Sequence, residues 1–125
     1  MGKKVESMKK KILIVDDEQE LSMILSELLT MNGYDVVTAS SAKQALSYFA
    51  ECRFDLILLD VMMPVMNGLQ FLKAARSHSN FTGTPVVMIS ATNIVENMAD
   101  YGWSEIAVKP FTFDQILNIA KKYTQ

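Results

Sequence analysis

Asp16, Asp17, Asp60, Ser90 and Lys109 are the side chains of this chain whose types suit phosphate chemistry. Each stands where a short apolar run stops. Ile12 to Val15 precedes Asp16-Asp17, Leu56 to Leu59 precedes Asp60, Val86 to Ile89 precedes Ser90, and Ile106 to Val108 precedes Lys109-Pro110. Three carboxylates, a hydroxyl and an ammonium gathered at one place suit a divalent cation and a phosphoryl group. Carboxylate oxygens are hard ligands fit for Mg²⁺, which keeps several waters and takes few protein groups. A carboxylate can also attack phosphorus and form an aspartyl phosphate. Taken singly, each residue has a plain alternative: the acids as helix caps or turn residues, Ser90 bonding backbone, Lys109 as a solvated lysine. Together they are more specific. Three close acids repel, and a cation with Lys109 offsets the repulsion. Pro110 contributes as well, because a cis Lys109-Pro110 bond would turn the chain sharply and aim the ammonium into the site.

The elements that must position these groups are short apolar runs separated by helical patterns. Such runs read as strands buried on both faces of a parallel sheet. The pattern predicts strands over about Lys11 to Val15, Tyr34 to Ala39, Asp55 to Leu59, Pro85 to Ile89 and Glu105 to Val108. It predicts helices over about Glu18 to Met31, Ser41 to Cys52, Gly68 to His78, Ile94 to Tyr101 and Phe111 to Tyr123. Leu21, Leu25, Leu28 and Leu29 form the stripe of the first helix; Ala42, Ala45, Leu46 and Phe49 that of the second; Phe113, Ile116, Leu117 and Ala120 that of the last. Asn32-Gly33 ends the first helix, and Ser40 or Ser41 and Thr112 are caps. Five alternations of strand and helix imply an open α/β sheet, doubly wound with right-handed crossovers. In such sheets the site lies beyond the carboxyl ends of the strands, where all five groups stand.

The 125 residues, half of them hydrophobic, make one domain with a single core and leave no room for an output domain. No apolar run nears the roughly 20 residues of a membrane helix, and residues 1–11 hold five lysines rather than a signal peptide. Cys52, the one cysteine, fits a reducing cytoplasm and reads as a small buried hydrophobe. The net charge of −2 divides into +4 over residues 1–11 and −6 over the rest. Residues 1–10 thus read as a basic, solvated tail before a domain over 11–125. An acidic body argues against nucleic acid as the main partner.

The motifs VDDE, DVMMPVMNG, SA at Ser90-Ala91 and KPF, in this order and spacing over about Lys11 to Lys122, strongly resemble the receiver domain of two-component response regulators. The resemblance implies a flavodoxin-like (βα)5 fold with strand order 2-1-3-4-5. It implies that Asp60 is the phosphoacceptor, taking phosphate from a phosphohistidine on a histidine kinase or histidine phosphotransfer protein. Asp17, Asp60 and the backbone carbonyl of Met62 would bind Mg²⁺ (or Mn²⁺), with Asp16 acting largely through water. Ser90 and Lys109 would contact the phosphoryl group. Exposed positions of the first helix, such as Ser22, Met23 and Ser26, would face the kinase. The chain would then be no enzyme beyond its own phosphorylation and dephosphorylation, and would signal to a downstream protein target. The alternatives are a phosphorelay intermediate or the receiver of a hybrid kinase or larger regulator. A metal-dependent phosphatase lacks its second acid, since Met62 stands there, and a flavin carrier lacks its phosphate loop, since Asp-Asp-Glu stands there.

Two departures from the family pattern concern the switch. The position three residues before the lysine is usually Tyr or Phe and here is Ile106, which implies a muted or differently read switch. The stretch from Ser90 to Lys109 is shorter by about three residues, close to one helical turn of about 3.6. That argues against dimerisation through the usual face and leaves Trp103, Tyr101 and Ile94 either as a partner surface or as packing. Met62, Met63 and Met66 suit a recognition surface or loop packing. Met62 and Thr92 stand where water access to the phosphoryl group is tuned. His78 reads as a solvated residue at a helix end.

Overall fold

A computed structural model of the chain describes residues 9–60, 68–81, 83–90 and 103–125. Its strands are β1 (Lys11–Val15), β2 (Asp35–Ala39), β3 (Leu56–Asp60), β4 (Val86–Ser90) and β5 (Glu105–Val108). The described helices are α1 (Gln19–Met31), α2 (Ala42–Tyr48), α3 (Gly68–Ala75) and α4 (Phe113–Thr124), with a 3-10 turn at Ser79–Phe81. All strand pairs are parallel, in the order β2-β1-β3-β4-β5. The order reverses at β1, which opens a crevice between β1 and β3 at their carboxyl ends.

The three central strands are the anchor of the molecule. β3 and β4 are buried at every residue, and β1 at all but its first. Alternate side chains feed two cores. Leu13, Val15, Ile57, Leu59 and Met88 join Phe49, Phe71 and Phe81 on one face. Ile12, Ile14, Leu56, Leu58, Val87 and Ile89 join Leu25, Leu29, Ile116 and Ala120 on the other. Burying each such side chain contributes roughly 1.5–3 kcal/mol, so the carboxyl ends of these strands are held by the strongest packing available. The edge strand β5 is shorter: Glu105 and Ile106 are half-buried, Ala107 is buried and Val108 is exposed.

The caps follow the sequence signals. Ser41 Oγ accepts from the Gln44 N–H, and Thr112 and Gln115 form a reciprocal capping box on α4. Gly33 closes α1 with φ at +93°, a left-handed conformation that suits glycine. The helix expected over Ile94 to Tyr101 lies outside the described residues, as do residues 1–8, Met62, Met63, Pro64, Met66 and Thr92.

Four details differ from the sequence expectation. Ser22 is buried rather than facing a partner, because it continues the Leu25–Leu29 stripe one turn towards the start of α1. Phe113 is 55% exposed, because the buried stripe of α4 begins one turn later at Ile116. His78 follows α3 rather than ending it, and its ring lies 5.9 Å from that of Phe49, half-buried beside the aromatic cluster. Cys52 is half-buried beyond the end of α2.

Candidate functional site

Sheet order decides which side chains meet. Asp60 ends β3 at the centre, Asp16 follows β1 on one side, and Ser90 ends β4 on the other. Asp16, Asp60 and Ser90 are all buried, at 1%, 6% and 2% exposure, while Asp17 faces outward. One carboxylate oxygen from each of Asp16, Asp17 and Asp60 falls within a mutual distance of 4.8 Å. The expected acid triad is therefore assembled.

Asp16 is fixed through its main chain and one oxygen. Its N–H donates to the Ala39 carbonyl at 3.0 Å, and its Oδ1 accepts the Glu18 N–H at 2.9 Å. Among the described residues its Oδ2 is buried with no hydrogen-bond donor. Burial pushes the Asp16 carboxyl up to about 7; the Glu18 N–H opposes the rise, and the neighbouring Asp60 charge adds to it. A buried carboxylate oxygen without a donor, beside two further carboxylates, is an all-oxygen set of the kind that suits a hard divalent cation. Met62, whose carbonyl was expected to complete that set, lies outside the described residues. Beside Asp16 a cavity of about 390 Å³ opens along α1, lined in part by Gln19, Ser22, Met23 and Gln44.

The β5 end is arranged differently. Register pairs Met88 with Ile106 and Ser90 with Val108, and the Lys109 N–H donates to the Ser90 carbonyl at 2.7 Å. Lys109 is thus placed beside Ser90 by the backbone, and its bond to Pro110 is cis, as expected. Its ammonium makes an ion pair with Glu18 Oε1 at 3.3 Å. Ile106 and Trp103 are both half-buried against the same core, while Tyr101 and Ile94, named with Trp103 as a partner surface, lie outside the described residues. Glu105 anchors the other end of β5: its Oε1 accepts from Tyr123 Oη at 2.7 Å and Lys122 Nζ at 3.0 Å. The bond from the Tyr123 hydroxyl leads the causes that hold the Glu105 carboxyl below its ordinary range.

Glu18 and Glu105 are the residues of this region that sequence reasoning left without a role. Glu18 was visible as the last letter of VDDE. Its partner stands 91 residues away, and no local pattern links the two.

Residues 12–121 match the response regulator receiver domain family. The regulatory protein AtoC of Escherichia coli (strain K12) is 35% identical over 118 residues, 92% of this chain and 25% of that protein. Chemotaxis protein CheY4 of Vibrio cholerae superposes with a TM-score of 0.87 at 34% identity, covering 92% of this chain and 98% of that one. Response regulator TrrA of Thermotoga maritima, solved in complex with Mg(2+)-BeF, gives a TM-score of 0.80 at 30% identity, over 91% and 98% of the two chains. The chain spans 25% to 45% of the length of the curated relatives it matches.

Proposed function

The chain belongs to the response regulator receiver domain family, and from that premise we propose that it accepts a phosphoryl group onto Asp60 and signals by a change of conformation. The observation that carries the reading is the convergence of carboxylate oxygens of Asp16, Asp17 and Asp60 within 4.8 Å, with a buried oxygen of Asp16 that no described residue donates to. Asp17 and Asp60, with Asp16 behind them, would hold Mg²⁺. When bound, the ion neutralises the acids and the charge on the phosphoryl oxygens.

Asp60 then acts as the nucleophile. One of its carboxylate oxygens bonds to phosphorus as the phosphorus–nitrogen bond of a phosphohistidine breaks, and the released imidazole takes a proton from water. The donor is a histidine kinase or histidine phosphotransfer protein. Phosphoryl transfer asks little of the protein beyond in-line positioning and stabilisation of the equatorial oxygens. The Ser90 hydroxyl and the Lys109 ammonium supply that on the β4 and β5 side. The protein catalyses its own phosphorylation and dephosphorylation and no other reaction, and it works in the cytoplasm.

An aspartyl phosphate concentrates negative charge at a buried strand end. Shifting a two-state element from 1:99 to 99:1 needs about 5.5 kcal/mol of differential stabilisation. Two or three charge-assisted hydrogen bonds of roughly 1.5–3 kcal/mol each reach that figure. Movement of Ser90 and Lys109 towards Asp60 carries β5 and Ile106 with it. An aliphatic side chain in place of a ring makes that report smaller. The related TrrA, solved with Mg(2+)-BeF, supports the reading.

Titration calorimetry with beryllofluoride tests it. One equivalent binds in the presence of Mg²⁺ and none in EDTA. Binding that ignores the chelator defeats the assignment of the acids.

A further inference from the structure

We infer that Glu18 is a positioning residue for Lys109: it holds the ammonium in the unphosphorylated protein and yields it when charge gathers on Asp60. This rests on the phosphoacceptor reading above and adds a restraint to it.

The position of Glu18 in the chain is the first argument. It is the N-cap of α1, a place that favours Ser, Thr, Asp or Asn because their short side chains bond the exposed N–H groups of the first turn. Glu18 makes no such cap bond. Its side chain instead reaches Lys109 Nζ at 3.3 Å. The helix start thus forgoes a cap, and the carboxylate serves the segment after β5.

The second argument is how Glu18 is itself held. Its N–H donates to Asp16 Oδ1 at 2.9 Å, so its backbone is tied to the buried acid of the site. Lys109 is tied on the other side through its N–H to the Ser90 carbonyl at 2.7 Å. The ion pair therefore joins the segment after β1 to the segment after β5. In sheet order it crosses the ends of β3 and β4, which carry Asp60 and Ser90.

The third argument is strength. The side chains are 60% and 28% exposed, so the pair is partly screened by water and stays breakable. A phosphoryl group adds about 1.5 to 2 negative charges. It outbids a single exposed carboxylate for the ammonium. Glu18 is therefore a competitor that weakens capture of Lys109 without preventing it.

The test compares the full chain with Glu18→Gln and Glu18→Asp at saturating Mg²⁺, with beryllofluoride as the probe and calorimetry as the readout. Glu18→Gln removes the competitor and binds beryllofluoride about two- to five-fold more tightly, the range of an exposed ion pair. Glu18→Asp keeps the charge but is one methylene too short to hold the ammonium, and it shifts in the same direction. The gain shrinks as salt is raised, because the pair it reports is screened. Equal affinities in all three proteins overturn the inference. So does tightening in Glu18→Gln alone, which would mark a general field of negative charge rather than a tether. A parent protein that binds no beryllofluoride overturns the phosphoacceptor reading and this inference with it. Parent binding with unaltered variants overturns only the inference.

Discussion

The ends of β1 and β3 and the end of β5 face the same crevice but are built from different materials. Asp16 and Asp60 are short, buried side chains: Asp60 ends β3 inside the ladder, and Asp16 follows β1 directly, with its N–H on the Ala39 carbonyl. Lys109 is a long side chain following a four-residue edge strand, and it leans on an exposed glutamate. The acid end is fixed in advance, which suits a cation and a nucleophile that need set positions. The lysine end is adjustable, which suits the movement proposed for its ammonium. One crevice thus pairs a rigid input with a compliant output.

The sharpest way to break this comparison is to attack the packing beneath each end. Leu58→Ala, under the acid end, should lower unfolding free energy by roughly 2–5 kcal/mol in urea titration. Val108→Ala, 37% exposed on β5, should cost within about 0.5 kcal/mol. Equal costs would remove the contrast between a rigid and a compliant end.

The next effect concerns the ammonium. Lys109→Ala should slow labelling by acetyl phosphate about 100-fold, the scale for losing one donor to a transferring group, with little change in stability. An unaltered rate would deprive the β5 end of its part in the chemistry.

The third prediction follows from the raised Asp16 carboxyl. In the unfolded chain this group loses its proton near its ordinary value of 3.8; in the folded, metal-free protein it keeps it to about 7. Between those values the folded state holds more protons, so its stability falls as pH rises. The loss, on the order of 1–4 kcal/mol across the window, should be absent in Asp16→Asn when both are unfolded in EDTA. Mg²⁺ should restore stability near neutral pH, because it binds the ionised site. A parallel pH slope in the variant would contradict the burial of that charge.

The smallest effect belongs to the far end of β5. Tyr123→Phe removes the hydroxyl that donates to Glu105 and should cost about 1 kcal/mol, with labelling unchanged. A loss of labelling would join this clamp to the site and weaken the division drawn above.

What the sequence displayed, and what it hid, follows the same line. The three central strands were legible because burial on both faces forces continuous apolar runs, and each run stops where the chain must turn polar. The acid triad was legible for that reason. Ser22 was not, since a serine on a helix reads as surface until the stripe of Leu25 and Leu29 is seen to continue through it. The placement of the His78 ring beside Phe49 and the ion pair from Lys109 to Glu18 were hidden for another reason. They join residues far apart in the chain through side chains whose direction no periodicity encodes.

The central claim is that Asp60 receives the phosphoryl group within a cation-dependent site. Incubating the full chain with acetyl phosphate and reading its intact mass tests that claim most directly. With Mg²⁺ the protein should gain the mass of a single phosphoryl group, located to the peptide that contains Asp60, and Asp60→Asn should gain none. A label retained in Asp60→Asn, or formed equally well in EDTA, would contradict the account.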